Sequence, residues 1–141
     1  MSSSEAGSTP VTPRLGVLVR AALVMETLTA YAVVHWHLRR RDLPAVVAAL
    51  RASSVARRPL DADDRRLAGV AVRVLSVMPG DARCLVRSLV VLRLLARRGI
   101  DVRLIIAARP APSFEAHAWV ERAGRPLLPT RGFRDARLTE L

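Results

Sequence analysis

The sequence contains no lysine, so all 23 of its cationic side chains are arginines, and 12 acidic residues leave a formal net charge of +11. Arginine suits planar, bidentate recognition of carboxylates or phosphates, although GC-rich codon usage explains the bias at least as well. A chain this basic could bind nucleic acid, an anionic membrane or an acidic peptide. Aromatic residues make up only 4% of the chain and no nucleic-acid-binding motif is present, which argues against nucleic acid.

Cysteine is scarce too. The lone Cys84 cannot form an internal disulfide, so the fold needs no oxidising compartment. The N-terminal segment "MSSSEAGSTPVTPR" lacks the basic region of a signal peptide. We therefore expect residues 1–13 to be a disordered lead, residues 14–141 to form a single domain, and the protein to be cytoplasmic.

A long apolar run near the N-terminus covers residues 15–36 and has the length of a membrane span. Arg20 and Glu26 lie within the run, and charged side chains are costly at the middle of a bilayer. We expect a helix buried against the domain, or against a partner, and no membrane span.

Three shorter helices are predicted after this run. The first follows Asp42 as N-cap, the second covers about residues 64–78, and the third covers about residues 84–98. The third is apolar nearly all round, which indicates a central buried helix, and Gly99 ends it as a C-cap.

After Gly99 the spacing of the apolar residues changes from that of a helix to the alternation typical of strands. Residues 100–109, "IDVRLIIAAR", alternate apolar and charged side chains, "EAHAWVE" reads as the next strand, and "RAG" predicts a tight turn into "RPLLP". The expected fold class is α+β, with N-terminal helices and a central helix, bearing the cysteine, packed on a small antiparallel sheet.

Two side chains could carry chemistry. Cys84 lies at the predicted first turn of a helix, with Arg83 beside it and Arg87 one turn on, where a thiolate and an oxyanion would both be stabilised. His117 lies in the "EAHAWVE" strand and shares a face with Trp119 and Glu121. The pair could be a nucleophile and its base, or a small buried hydrophobe and a core histidine.

The segment "RCLVRSLVVLRLLARRGIDVRLIIAAR" followed by "FEAHAWVERAGRPL" resembles the transglutaminase-like cysteine peptidases of lasso peptide biosynthesis, closely so over residues 81–128. These enzymes remove the leader from the precursor peptide. The resemblance implies a papain-like or transglutaminase-like core, with Cys84 as nucleophile and His117 as base. It also implies a separate leader-recognition protein as partner, with the cyclase as a further one. No cofactor or metal is expected, since the three histidines and the cysteine lack metal-ligand spacing.

The sequence departs from this family at the third catalytic position. The resemblance places an aspartate at Leu128 or Pro129, and neither side chain can accept a hydrogen bond from an imidazole. Asp135 is the candidate substitute, and Glu121, on the face of His117, is another. The alternative function is a weakly active or non-catalytic family member that acts as a basic peptide-binding module.

Overall fold

The computed structural model describes residues 16–52, 57–77, 84–110, 112–133 and 136–141. Over these residues the chain forms four helices and one antiparallel sheet of four strands, which confirms the α+β prediction. The predicted lead at residues 1–13 lies outside the described residues. The elements are α1 (Val17–Leu38), α2 (Leu43–Arg51), α3 (Ala62–Ser76), α4 (Cys84–Ala96), β1 (Arg103–Arg109), β2 (Glu115–Arg122), β3 (Arg125–Pro126) and β4 (Arg137–Glu140).

Helix α4 is the centre of the core, as its apolar sequence predicts. It contacts α1, α2 and α3 and packs against β1 and β2. Nine of its 13 residues are buried, and the polar Ser88 is among them. A helix enclosed on this many sides can hold its first residue in a defined position against the sheet.

The end of α4 is a Schellman motif built around Gly99. This residue has a φ of 75°, which an amino acid without a Cβ adopts at no steric cost. The N–H of Ile100 donates to the carbonyl of Leu95 at 3.0 Å, and the N–H of Gly99 donates to the carbonyl of Ala96 at 2.9 Å. The predicted C-cap is therefore confirmed, and it turns the chain towards β1.

The sheet has the strand order β3-β2-β1-β4. Ala123 and Gly124 form the predicted tight turn between β2 and β3, and both have positive φ values, 48° and 73°, as a type I′ turn requires. Strand β4 was not predicted. It pairs with β1, and its register shifts between Ile106 and Ala107.

The two faces of the sheet have different neighbours. On one face Leu104, Ala118 and Val120 belong to the core cluster that contains α4. On the other face Ile105 and Trp119 pack with Phe133, from the segment that follows β3. Side chains alternate along β2, so His117 projects to the second face, where Trp119 also lies.

Helix α1 is long and apolar enough to cross a membrane by length and composition alone, with a mean hydropathy of 1.7 over a window that is 17% buried. Its middle is nevertheless part of the fold. Thr27, Ala30 and Val34 are buried, and α1 contacts α3 and α4. Arg98, just after α4, donates two hydrogen bonds of 2.7 Å to Glu26, and these bonds lower the pKa of that carboxyl. The predicted packing of this helix against the domain is confirmed for its middle turns.

Helix α3 begins two residues earlier than predicted because Asp61 and Asp64 form a capping box. Arg58 adds two hydrogen bonds to the Asp64 carboxylate, at 2.9 and 2.7 Å. Burial acts to raise the pKa of Asp64, but Arg58 and the backbone N–H of Asp61 outweigh it and the pKa is lowered. At the start of α2, by contrast, Asp42 occupies the N-cap position but makes no side-chain capping bond.

Replacing Asp64 should test this cap. We expect Asp64→Ala to lower the free energy of unfolding at pH 7 by about 2 kcal/mol, because it removes the capping bond and the two hydrogen bonds from Arg58 to Asp64. The lowered pKa means that the carboxylate stabilises the fold above the ordinary value of 3.8, and that this contribution is lost as the pH falls through the folded-state value. Urea unfolding across pH 2–7 measures both effects.

The matched control is Asp63→Ala. The Asp63 side chain is 87% exposed and that of Asp64 only 3%, although both belong to the first turn of α3. We expect Asp63→Ala to change the free energy of unfolding by less than about 0.5 kcal/mol. Equal losses from the two substitutions would contradict the assigned role of Asp64.

Candidate active site

Cys84 is the first helical residue of α4 and is half-buried. Its Sγ lies 4.0 Å from the carbonyl oxygen of Ala116, the residue that precedes His117 in β2. The first backbone N–H groups of a helix have no partner within the helix and carry partial positive charge. The thiol therefore lies at the first residue of α4, beside the strand that carries the imidazole.

One turn further along α4, Ser88 fixes this arrangement. Its Oγ is buried and donates a hydrogen bond of 3.0 Å to the carbonyl of Ala118. Cys84 and Ser88 thus face the carbonyls of alternate residues, Ala116 and Ala118. Alternate carbonyls along a strand point to the same edge of that strand. The next carbonyl in this series is that of Val120, which accepts a hydrogen bond from the N–H of Leu127 and therefore points towards β3. Helix α4 therefore runs beside the edge of β2 that β1 does not occupy.

The His117 ring lies between two aromatic rings on the second face of the sheet. Its centroid is 5.9 Å from that of Trp119 and 5.6 Å from that of Phe133. The residue is buried, with 8% of its surface exposed. Arg109 covers the outer side of Phe133, with its guanidinium carbon 4.5 Å from the ring centroid. These contacts restrict the rotation of the imidazole.

A backbone carbonyl accepts a hydrogen bond from this ring. Nε2 of His117 lies 2.8 Å from the carbonyl oxygen of Pro129. A carbonyl oxygen can only accept, so Nε2 must carry the proton, and in the neutral ring Nδ1 holds the lone pair. Pro129 is one of the two positions where the family resemblance places an aspartate. The main chain at that position thus does what the missing side chain was expected to do, which is to fix the tautomer and orientation of the imidazole.

Glu121 lies on the same face of β2 as His117, as predicted, but its carboxylate bonds elsewhere. Its Oε1 accepts a hydrogen bond of 2.8 Å from the indole Nε1 of Trp119. Asp135, the other candidate for the third position, lies outside the described residues, as does Arg83. The role of Asp135 stays a prediction.

The thiol and the imidazole are neighbours without being bonded to each other. Both residues are described, and no hydrogen bond joins them. The Cys84 thiol contacts the carbonyl of Ala116, and His117 is the next residue of β2. Arg87, one turn after Cys84, has a buried Nε with no hydrogen-bond partner among the described residues. In that same part of the chain, no three His, Cys, Asp or Glu side chains converge as a metal site requires.

Comparison with protein families identifies the fold. The model of the transglutaminase-like superfamily matches residues 27–138, which include α2, α3, α4, most of α1 and most of the sheet. The chain belongs to the transglutaminase-like superfamily. No curated protein and no solved structure matches it. For this transglutaminase-like chain, membership points to cysteine peptidase or acyl-transfer chemistry in general, and it confirms the predicted helix-on-sheet core.

The tautomer of His117 can be measured directly. In long-range ¹H–¹⁵N correlation spectra, taken at a pH at which the ring is neutral, we expect the proton on Nε2, because the Pro129 carbonyl is an acceptor only. The His117→Ala variant identifies the signals of this ring among the three histidines of the chain. A neutral His117 protonated on Nδ1 would show that the Pro129 contact does not determine the tautomer.

Proposed function

We propose that this protein is a cysteine peptidase that removes the leader from a lasso precursor peptide. Cys84 is the proposed nucleophile and His117 the proposed base. The observation that carries the proposal is the position of the Cys84 thiol, which lies at the first turn of α4 and contacts strand β2. The same strand carries His117, whose Nε2 is hydrogen-bonded to the carbonyl of Pro129. Superfamily membership supports the reaction class, and the motif around "AHAWVE" supports the substrate class.

The reaction would begin with proton transfer from the Cys84 thiol to Nδ1 of His117. The thiolate attacks the scissile carbonyl, and backbone N–H groups in the first turn of α4 stabilise the resulting oxyanion. The imidazolium returns its proton to the leaving amine as the peptide bond breaks. Water, deprotonated by the imidazole, then hydrolyses the thioester and restores the free thiol.

The Pro129 carbonyl can orient the imidazole of His117 but supplies less electrostatic stabilisation than a carboxylate would. It fixes the imidazole tautomer as a carboxylate would, but it carries no full negative charge to stabilise the imidazolium. The proposed enzyme therefore has an oriented base with weaker electrostatic support. Proton transfer in the first step costs more free energy than in a site that has a carboxylate.

The proposed setting is the cytoplasm, where a lone thiol stays reduced. Leader recognition is assigned to a separate protein, and the freed core peptide would pass to the cyclase. The second candidate function is a non-catalytic member that binds peptides. The observation in its favour is that Leu128 and Pro129 occupy the positions where the resemblance places an aspartate.

The reactivity of the thiol tests the chemistry without any substrate. We expect iodoacetamide to alkylate Cys84 readily at pH 7, and His117→Ala to slow this reaction by about tenfold or more, because the base that accepts the thiol proton is gone. His35→Ala, which removes a histidine from α1, is the control and should react like the parent. A thiol equally inert in the parent and in His117→Ala would support the non-catalytic candidate.

Cleavage of the precursor tests the substrate class. With the cognate precursor and its recognition protein present, Cys84→Ala should abolish leader removal while the helical circular dichroism is retained. His117→Ala should reduce the rate by about 10²- to 10⁴-fold, the usual contribution of a general base. Mass spectrometry follows both products. Cleavage by Cys84→Ala at the parental rate would refute the proposed nucleophile, and a reactive thiol without leader removal would refute the substrate.

A further inference from the structure

A groove of about 670 Å³ runs between α1 and α3. Its floor is apolar and half-buried, with side chains from both helices. The floor consists of Leu23, Val24, Gly69, Val70 and Val74. The Cys84 and His117 side chains are not among the residues that line it.

Four arginines form the rim of this groove, and no acidic side chain of the described residues lines it. One of them, Arg66, pairs with the exposed Asp63 at 3.4 Å. The other rim residues, Arg20, Arg65 and Arg73, have no side-chain ion pair among the described residues. Glu26, on the same helix as Arg20, is engaged with Arg98. Three of the four rim arginines therefore carry positive charge that no acidic side chain in the described part of the chain pairs with.

Gly69 leaves the middle of the floor open. It lies within α3, where glycine costs about 1 kcal/mol of helix stability relative to alanine. A Cβ built on Gly69 would meet no atom of the described residues within 4 Å, so packing among these residues does not require a glycine here. A glycine at this position lets the backbone of another molecule come close to α3.

From these features we infer that the groove docks an acidic amphipathic helix of a partner polypeptide. Apolar side chains on one face of such a helix would cover the floor, and glutamates or aspartates flanking that face would pair with the arginine rim. The stretch of α3 that lines the groove, from Arg65 to Val74, is about 14 Å long at 1.5 Å per residue. It would therefore contact two to three turns of the partner helix.

Other occupants fit the groove less well. A second copy of this chain would bring the same arginine rim against itself in a two-fold arrangement, and the like charges would repel. Nucleic acid would place phosphates against an apolar floor to which the described residues contribute no aromatic side chain for stacking. A bilayer needs an apolar surface that protrudes, whereas this floor is recessed below charged side chains.

A synthetic peptide tests the inference on the full chain. The probe is a fluorescein-labelled helical peptide of about 18 residues, with leucines at positions i, i+3, i+4 and i+7 and glutamates on its flanks. Fluorescence anisotropy should show saturable binding that weakens as salt is raised. We expect a peptide with lysine in place of glutamate, or with its leucines scrambled, to bind at least about tenfold more weakly.

Substitutions locate the binding. Gly69→Leu should weaken the peptide complex by about tenfold or more, because the new side chain fills the floor, and Gly69→Ala should weaken it less. Both replacements favour the helix, so loss of folding cannot explain a loss of binding. Arg73→Glu should weaken binding about tenfold, whereas Arg57→Glu makes the same charge change outside the groove and should have little effect.

The outcomes separate this inference from the proposed peptidase function. Cys84→Ala should bind the probe like the parent, so a failed cleavage assay leaves the groove unaffected. Equal affinity of the parent and Gly69→Leu would overturn the inference. Binding of the protein to vesicles that contain anionic lipids, with no binding to the peptide, would also overturn it. So would a dimer of this chain that dissociates in the Gly69→Leu variant.

Discussion

Helix α4 is enclosed by three other helices and one face of the sheet, and its first residue carries the thiol. A helix packed in this way cannot shift or rotate without opening the core, so hydrophobic packing determines where Cys84 lies. The bond from Ser88 to Ala118 adds a polar constraint one turn away, inside the same interface. The placement of the thiol in the candidate site depends on this position, because the thiol meets β2 only where α4 begins.

The elements that the sequence predicts well are those determined by local chemistry. Gly99 ends α4 because of its positive φ, and the turn at Ala123 and Gly124 joins two strands only two residues apart. Strand β4 was missed because a segment of four residues is too short to show the alternation of apolar and polar side chains that identifies a strand. Its pairing with β1 also depends on the rest of the sheet. The acceptor at Pro129 was missed because a backbone carbonyl has no signature in a sequence.

The arginines divide into two groups that composition could not separate. Arg58 and Arg98 bond to carboxylates of the same chain, and their charge is used to hold helices in place. Three rim residues of the α1 and α3 groove, Arg20, Arg65 and Arg73, carry charge that the described fold leaves available. Tertiary contacts determine which group an arginine belongs to. The net charge of +11 therefore gives the total charge of the protein but not where on its surface that charge lies.

The contact between His117 and the Pro129 carbonyl changes what a mutation can do to the proposed base. A single amino-acid substitution can remove a carboxylate side chain, whereas a main-chain carbonyl oxygen remains whichever residue carries it. The orientation of the imidazole then depends on the path of the chain after β3, which Leu128 and Phe133 anchor by packing beneath the sheet. Sensitivity to substitution thus passes from the polar residue that the family resemblance leads one to expect to two apolar ones. Variation in this segment would change the orientation of the proposed base without changing the Cys84 or His117 side chain.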